Sequence, residues 1–208
     1  MLMLASASPR RQELLRNAGI AFTVQPANVD ESPLPGERPR ECAERLAREK
    51  ALKVWRSQPQ DLVLGADTVV VIDGAILGKP VDTADAARML RMLSGRTHEV
   101  ITGVCVVKSV ASAESRVPSL IGLDAGDYGL HNPHVQALSE TTLVIVSEIS
   151  DQEIEDYVAT GEPMDKAGAY AIQGIASRWI PRIEGDYSNV VGLPIAVTYR
   201  MLRNYAAL

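Results

Sequence analysis

The chain is short of aromatic side chains: one Phe, two Trp and six Tyr in 208 residues. A core built from it must be filled by Leu, Val, Ile and Ala. Cysteine is scarcer still, with only Cys42 and Cys105. Two thiols far apart exclude a disulfide framework and a CxxC metal site, and read as reduced, buried side chains. No apolar run approaches the roughly 20 residues needed to span a bilayer, and no leader pattern precedes the first motif. A cytoplasmic protein without a membrane partner is expected. Basic charge is not in excess either. The net charge of −5 argues against a nucleic-acid surface, although not against a small basic pocket. His98, His131 and His134 form no metal-ligand pattern. There is no P-loop, no GxGxxG after a strand and no Ser-His-Asp order.

What is present is an alternation of strands and helices. Residues 2–6 read as a strand, and Pro9 opens a helix that ends near Gly19. Residues 20–25 read as a strand and 26–38 as a loop. A helix over 40–56 carries an apolar stripe that includes Lys50. A buried strand over 62–72 is followed by an Asp73-Gly74 turn and a short strand through Leu77. Residues 82–93 read as a helix and 98–107 as a strand. Residues 109–139 read as a long loop or extended hairpin tip. A strand over 140–147 follows, then a helix capped by Ser150 with Glu153 three residues on. Residues 161–194 show few helical stripes, and a last helix covers about 194–205. This order predicts an α/β fold around a mixed sheet.

Several residues stand out chemically. Ser6-Ala7-Ser8-Pro9-Arg10-Arg11 places hydroxyls and two guanidinium groups at a helix N-terminus, a cradle for phosphate. An ordinary N-cap with surface arginines accounts for the same residues. Asp67 interrupts an apolar strand beside Thr68. A carboxylate there needs a cationic partner, a metal or backbone donors. Lys50, Lys79 and Glu31 supply charge suited to phosphate and hard cations, and each alone reads equally well as a surface charge. Residues 161–174 are glycine-rich and polar. The Gln173 amide offers a donor and an acceptor to a base edge.

Taken together, seven stretches resemble the Maf family of nucleotide pyrophosphatases: SASPRRQELL at 6–15, RLAREKA at 45–51, LGADTVV at 64–70, LGKP at 77–80, SGRTHEVITGV at 94–104, GEPMDKAGAYAIQG at 161–174 and GDYSNVVGLPI at 185–195. They follow the family order and span nearly the whole chain. The resemblance implies a single Maf-like domain over 1–208, with a two-lobed α/β fold of the inosine-triphosphatase type. Its elongated mixed sheet is flanked by helices, and a cleft separates the lobes. It also implies cleavage between the α- and β-phosphates of nucleotides with a divalent metal (Mg²⁺, Mn²⁺ or Co²⁺), and a homodimer. By position, Asp67 resembles the carboxylate that activates water and a metal ligand, with Glu31 as its metal partner. Ser8, Arg10, Arg11, Lys50 and Lys79 resemble the phosphate-binding set. Arg10, Thr68 and Gln173 match the subgroup that prefers dTTP and UTP. The segment 109–139 is longer than the family hairpin and reads as an insertion. Two other functions fit the same residues: a nucleotide-binding regulator of septum formation, and a purine-type pyrophosphatase acting on ITP or 7-methyl-GTP.

Overall fold

The structure is a computed structural model that describes residues 1–110 and 132–205. The chain order is β1 (Leu2–Leu4), α1 (Pro9–Asn17), β2 (Thr23–Val24), α2 (Pro39–Ser57), β3 (Leu62–Ile72), β4 (Ala75–Leu77), α3 (Thr83–Leu93), β5 (Thr97–Val110), β6 (Asn132–Ile145) and α4 (Asp151–Ala159). Three short 3-10 turns follow, then β7 (Arg182–Glu184), α5 (Tyr187–Val191) and α6 (Ile195–Arg203). One mixed sheet runs β2-β1-β3-β5-β6-β7, with β4 pairing to β3. Strand β1 pairs in parallel with β2 and β3, and the other pairs are antiparallel.

The capping chemistry explains where the helices begin. Ser8 accepts the Arg11 N–H and Pro9 occupies the first turn of α1. Asp82 accepts the Asp85 N–H at 2.7 Å, and Ser150 with Glu153 forms a capping box at α4. Helix α2 lies against β3 and β5 with almost no space between them. A Cβ on Gly65 would lie 2.2 Å from the Ala47 carbonyl oxygen, and one on Gly103 would lie 2.3 Å from that of Ala43. Glycine at both positions lets the helix backbone approach the sheet directly.

The core divides along β3. Leu62, Leu64 and Ala66 pack with β1, α1 and α6 around Leu4, Leu15, Leu193 and Leu202. Val70 and Ile72 pack with α3 and α4 around Leu90, Leu93, Ile154 and Tyr157. Asp67 and Thr68 fall between the two clusters.

Three expectations need correction. The strand expected at 20–25 is only Thr23–Val24. Residues 109–110 and 132–139, expected within a long loop or extended hairpin tip over 109–139, form the end of β5 and the first half of β6, so the hairpin holds but its strands run further than expected, with Gln136 opposite Val106 and Asn132 opposite Val110. Val135 and Leu138 are exposed there, so no buried face imposes alternation and the strand carried no readable period. The rest of that segment, 111–131, lies outside the described residues. Finally, β7 and α5 went unrecognised, being three and five residues long.

Candidate functional site

The strand partners of β3 create the opening in which the candidate residues meet. On one side, β1 pairs with Leu62–Leu64 and β4 pairs with Val70–Ile72. Between them, Gly65–Val69 presents an edge that no strand covers among the described residues. A cavity of about 770 Å³ lies against it. Ser8, Arg10, Arg11, Glu31, Lys50, Asp67, Thr68, Lys79 and Gln173 all line this cavity, so the structure brings together every residue singled out from the sequence.

Alternation along β3 sends Asp67 to the same face as Gly65, toward α2. There Lys50 Nζ donates to Asp67 Oδ1 at 2.6 Å and to Glu31 Oε1 at 2.6 Å. Lys50 is 6% exposed and Asp67 8%, so each charge needs the other. Lys79 Nζ reaches Glu31 Oε2 at 3.0 Å. The result is a chain of alternating charge: Asp67, Lys50, Glu31, Lys79. Partial burial acts to raise the Glu31 carboxyl, but the two ammonium groups outweigh it and hold the carboxyl down at about 2.

Thr68 points to the opposite face and meets Arg11. Each nitrogen of the Arg11 guanidinium makes a hydrogen bond: Nε donates to Gly192 O at 2.8 Å, Nη1 to Ser6 Oγ at 3.1 Å and Nη2 to Thr68 Oγ1 at 3.1 Å. Thr68 Oγ1 also lies 2.9 Å from Thr102 Oγ1, which donates to Asn189 O at 3.0 Å. Burial lowers the Arg11 pKa from its ordinary value, opposed by the negative charge of Asp67 and Glu31. Arg11 thus ties α1 to β3 and to the loop before α6. Arg10, one residue earlier, has no hydrogen-bond partner among the described residues and faces the same cavity. Of the two adjacent arginines, Arg10 is the one free to bind an anion.

The other wall is made by the stretch after α4. Lys166 Nζ donates to Glu162 O at 2.6 Å and to Asp165 Oδ1 at 2.5 Å, and both Asp165 and Lys166 line the cavity. The Lys166 ammonium lowers the Asp165 pKa. Gln173 is exposed to the cavity and its amide holds no hydrogen bond within the described residues. Ser6, Asp165 and Lys166 had not been singled out as individual site residues. Their signal was only membership of the polar stretches around them.

Among the described residues, no cluster of three His, Cys, Asp or Glu side chains could hold a metal alone. Mg²⁺ carried with phosphates needs only one or two protein carboxylates, the remaining ligands being phosphate oxygens and water. Asp67 and Glu31 each place an oxygen 2.6 Å from the same Lys50 nitrogen, so they converge on a point already occupied by positive charge. That donor set fits a hard divalent cation. Burial pushes the thiols up, Cys42 to about 11 and Cys105 to about 12, which keeps both in the protonated form. No helix among the described residues is long and apolar enough to cross a membrane.

Comparison with known proteins gives the family. A family model described as Maf-like protein matches residues 1–205. A dTTP/UTP pyrophosphatase of Koribacter versatilis is 55% identical over 208 residues, covering 100% of this chain and 95% of the relative. One of Syntrophomonas wolfei is 50% identical over 199 residues, covering 96% and 94%. One of Geobacter sulfurreducens is 46% identical over 207 residues, covering 100% and 97%.

Proposed function

The chain belongs to the Maf family, and from that premise we propose that it hydrolyses dTTP and UTP to the monophosphate and pyrophosphate. The observation that carries this reading is the Asp67–Lys50–Glu31–Lys79 charge chain at the uncovered edge of β3, with Arg10 left unpaired beside it. A purely structural ion-pair network would not open onto a cavity of nucleotide size with an unused guanidinium in its wall.

In this reading the triphosphate lies along the cation set, with Arg10, Lys50 and Lys79 neutralising its oxygens and Ser8 donating from the N-terminus of α1. Asp67 takes the proton of the attacking water. The water oxygen bonds to the α-phosphorus, and the bond from that phosphorus to the oxygen bridging to the β-phosphate breaks. The electron pair leaves with pyrophosphate, whose developing charge the lysines stabilise. Asp67 and Glu31 are the residues that would hold Mg²⁺, which supplies further neutralisation of the phosphates. Arg11 holds Thr68 and the Gly192 loop in place. Gln173 faces the base, where its amide matches the O4 acceptor and N3–H donor of uracil or thymine. The enzyme acts on free nucleotides in the cytoplasm as a homodimer, with no role for nucleic acid or membrane.

The test is pyrophosphate release with Mg²⁺ from dTTP, UTP, CTP, ATP, GTP, ITP and 7-methyl-GTP, beside Asp67→Asn. Turnover of dTTP and UTP that vanishes in the variant is expected. Preferential turnover of ITP or 7-methyl-GTP would overturn the role of Gln173. Nucleotide binding without turnover would move the function to regulation.

A further inference from the structure

Gln173 stands on an irregular stretch with no strand or α-helix to fix it, yet a base reader must be held closely in position. The structure shows what holds it. Glu162 sits just after α4, in the turn that follows Gly161. Its carboxylate reaches across to the Gln173 stretch and accepts the Ile175 N–H through both oxygens, at 3.1 and 3.2 Å. The same carboxylate accepts the Tyr157 hydroxyl at 2.9 Å. Tyr157 is 2% exposed and packs edge-on against Trp179, so this anchor is fixed in the core of α4.

Gly174 makes the contact possible. A Cβ there would lie 2.0 Å from Glu162 Oε1 and 2.6 Å from its carboxyl carbon. The carboxylate therefore occupies the space that any other residue next to Gln173 would need. The backbone carbonyl of Glu162 also accepts from Lys166, so one residue ties both cavity-lining parts of this wall to α4.

We infer that Glu162 is the positioning residue for base selection, clamping the Ile175 amide and the Tyr157 hydroxyl so that the Gln173 amide stands at the nucleobase end of the cavity. This rests on the reading of Gln173 given above. Glu162 itself touches no reacting atom, and Asp67, Lys50 and Glu31 belong to other elements. Its loss alters which base is accepted while the hydrolytic groups stay in place.

The experiment compares kcat/KM for dTTP and CTP in the wild type, Gln173→Ala, Glu162→Ala, Gly174→Ala and Tyr157→Phe. Thermal melting confirms that each variant is folded. Tyr157→Phe keeps the ring and removes a single donor, so a folded clamp variant is at hand even if Glu162→Ala is not. A displacement of about 1 Å at a positioned group costs up to about 100-fold. Glu162→Ala and Gly174→Ala are therefore expected to lower the dTTP-to-CTP ratio by at least about tenfold. The loss should come through a raised KM for dTTP, with kcat within about threefold of the wild type. Tyr157→Phe shifts the ratio in the same direction by less. Folded clamp variants that keep the wild-type ratio, while Gln173→Ala loses it, would overturn the inference and leave the function standing. A wild type without preference for dTTP would remove the reading of Gln173, and the inference with it.

Discussion

Replacing Lys50 with methionine removes the one cation shared by Asp67 and Glu31 while keeping a side chain of similar length in the apolar stripe of α2. The wild-type ammonium is 2.6 Å from each carboxylate and almost wholly buried. Without it Glu31 keeps Lys79, but Asp67 is left with no cation in hydrogen-bond contact. Breaking a buried pair by removing one partner costs about 3–5 kcal/mol, because the remaining charge stays desolvated. Asp67 opens onto a cavity and water relieves part of that cost, so we expect about 3 kcal/mol. For a chain of this size that corresponds to a fall in Tm of roughly 6–12 °C. The assay is urea and thermal unfolding at pH 7, in chelator and in millimolar Mg²⁺. The deficit should shrink in Mg²⁺, which binds the folded variant by mass action. A Lys50→Met protein as stable as the wild type in chelator at pH 7, with no added response to Mg²⁺, would refute the claim that Lys50 neutralises this pair.

Arg11→Lys keeps the charge but loses the fork that serves Gly192, Ser6 and Thr68. It should destabilise the protein by about 2 kcal/mol in urea titrations, since hydrogen bonds from charged groups contribute about 1.5–3 kcal/mol each and lysine can keep only some of them. Gly103→Ala drives a Cβ into the Ala43 carbonyl and should cost about 3 kcal/mol by the same measurement. Because α2 carries Lys50, activity should fall in the same variant. Glu31 is held near 2 by Lys50 and Lys79 against partial burial, and Glu37 near 2 chiefly by its hydrogen bonds from Arg45. Both pKa values are depressed below 4.5. Their stabilisation is therefore complete above about pH 4.5 and is lost as pH falls toward 2. Glu37→Gln should flatten the stability profile within that window when unfolding is followed by circular dichroism.

How legible each part was depended on whether burial imposed a pattern. Asp67 in an apolar strand and Lys50 in an apolar helical stripe each posed an unpaired buried charge, and each proved to be the partner of the other. Glu31 sits in a loop without periodicity, where its charge alone marked it as a candidate and only the family resemblance gave it a metal role. The adjacent arginines could not be told apart by spacing. One helical step of about 100° turns Arg11 onto Thr68 and Gly192 and leaves Arg10 facing the cavity. The first half of β6 was hidden because its exposed side chains need no alternation. Glu162 was hidden for another reason. Its partners are a backbone N–H, a tyrosine five residues back and a glycine that only makes room. None of these leaves a mark in sequence spacing.

The two walls of the cavity are held by different means, and this has a consequence for specificity. Asp67, Thr68 and Lys50 stand on β3 and α2, which are locked by the Gly65 and Gly103 contacts and cannot shift without disturbing the sheet. Gln173 and Lys166 stand on turns anchored through Glu162 to α4, outside the sheet. A substitution on the first wall changes hydrolysis and stability together. One on the second wall can move the base reader by a fraction of an ångström while the charge chain keeps its distances. The proposal that Gln173 reads the base predicts that residues 161–175 alone can change the preferred base, leaving Arg10 and Thr68, the other positions that match the dTTP- and UTP-preferring subgroup, without a part in the choice. Exchanging that stretch for the corresponding one from a Maf-family protein of different base preference should transfer the preference, with kcat on the new substrate within about tenfold of kcat on the old. Transfer that succeeded only with accompanying changes on β3 or α2 would show that the two walls are coupled.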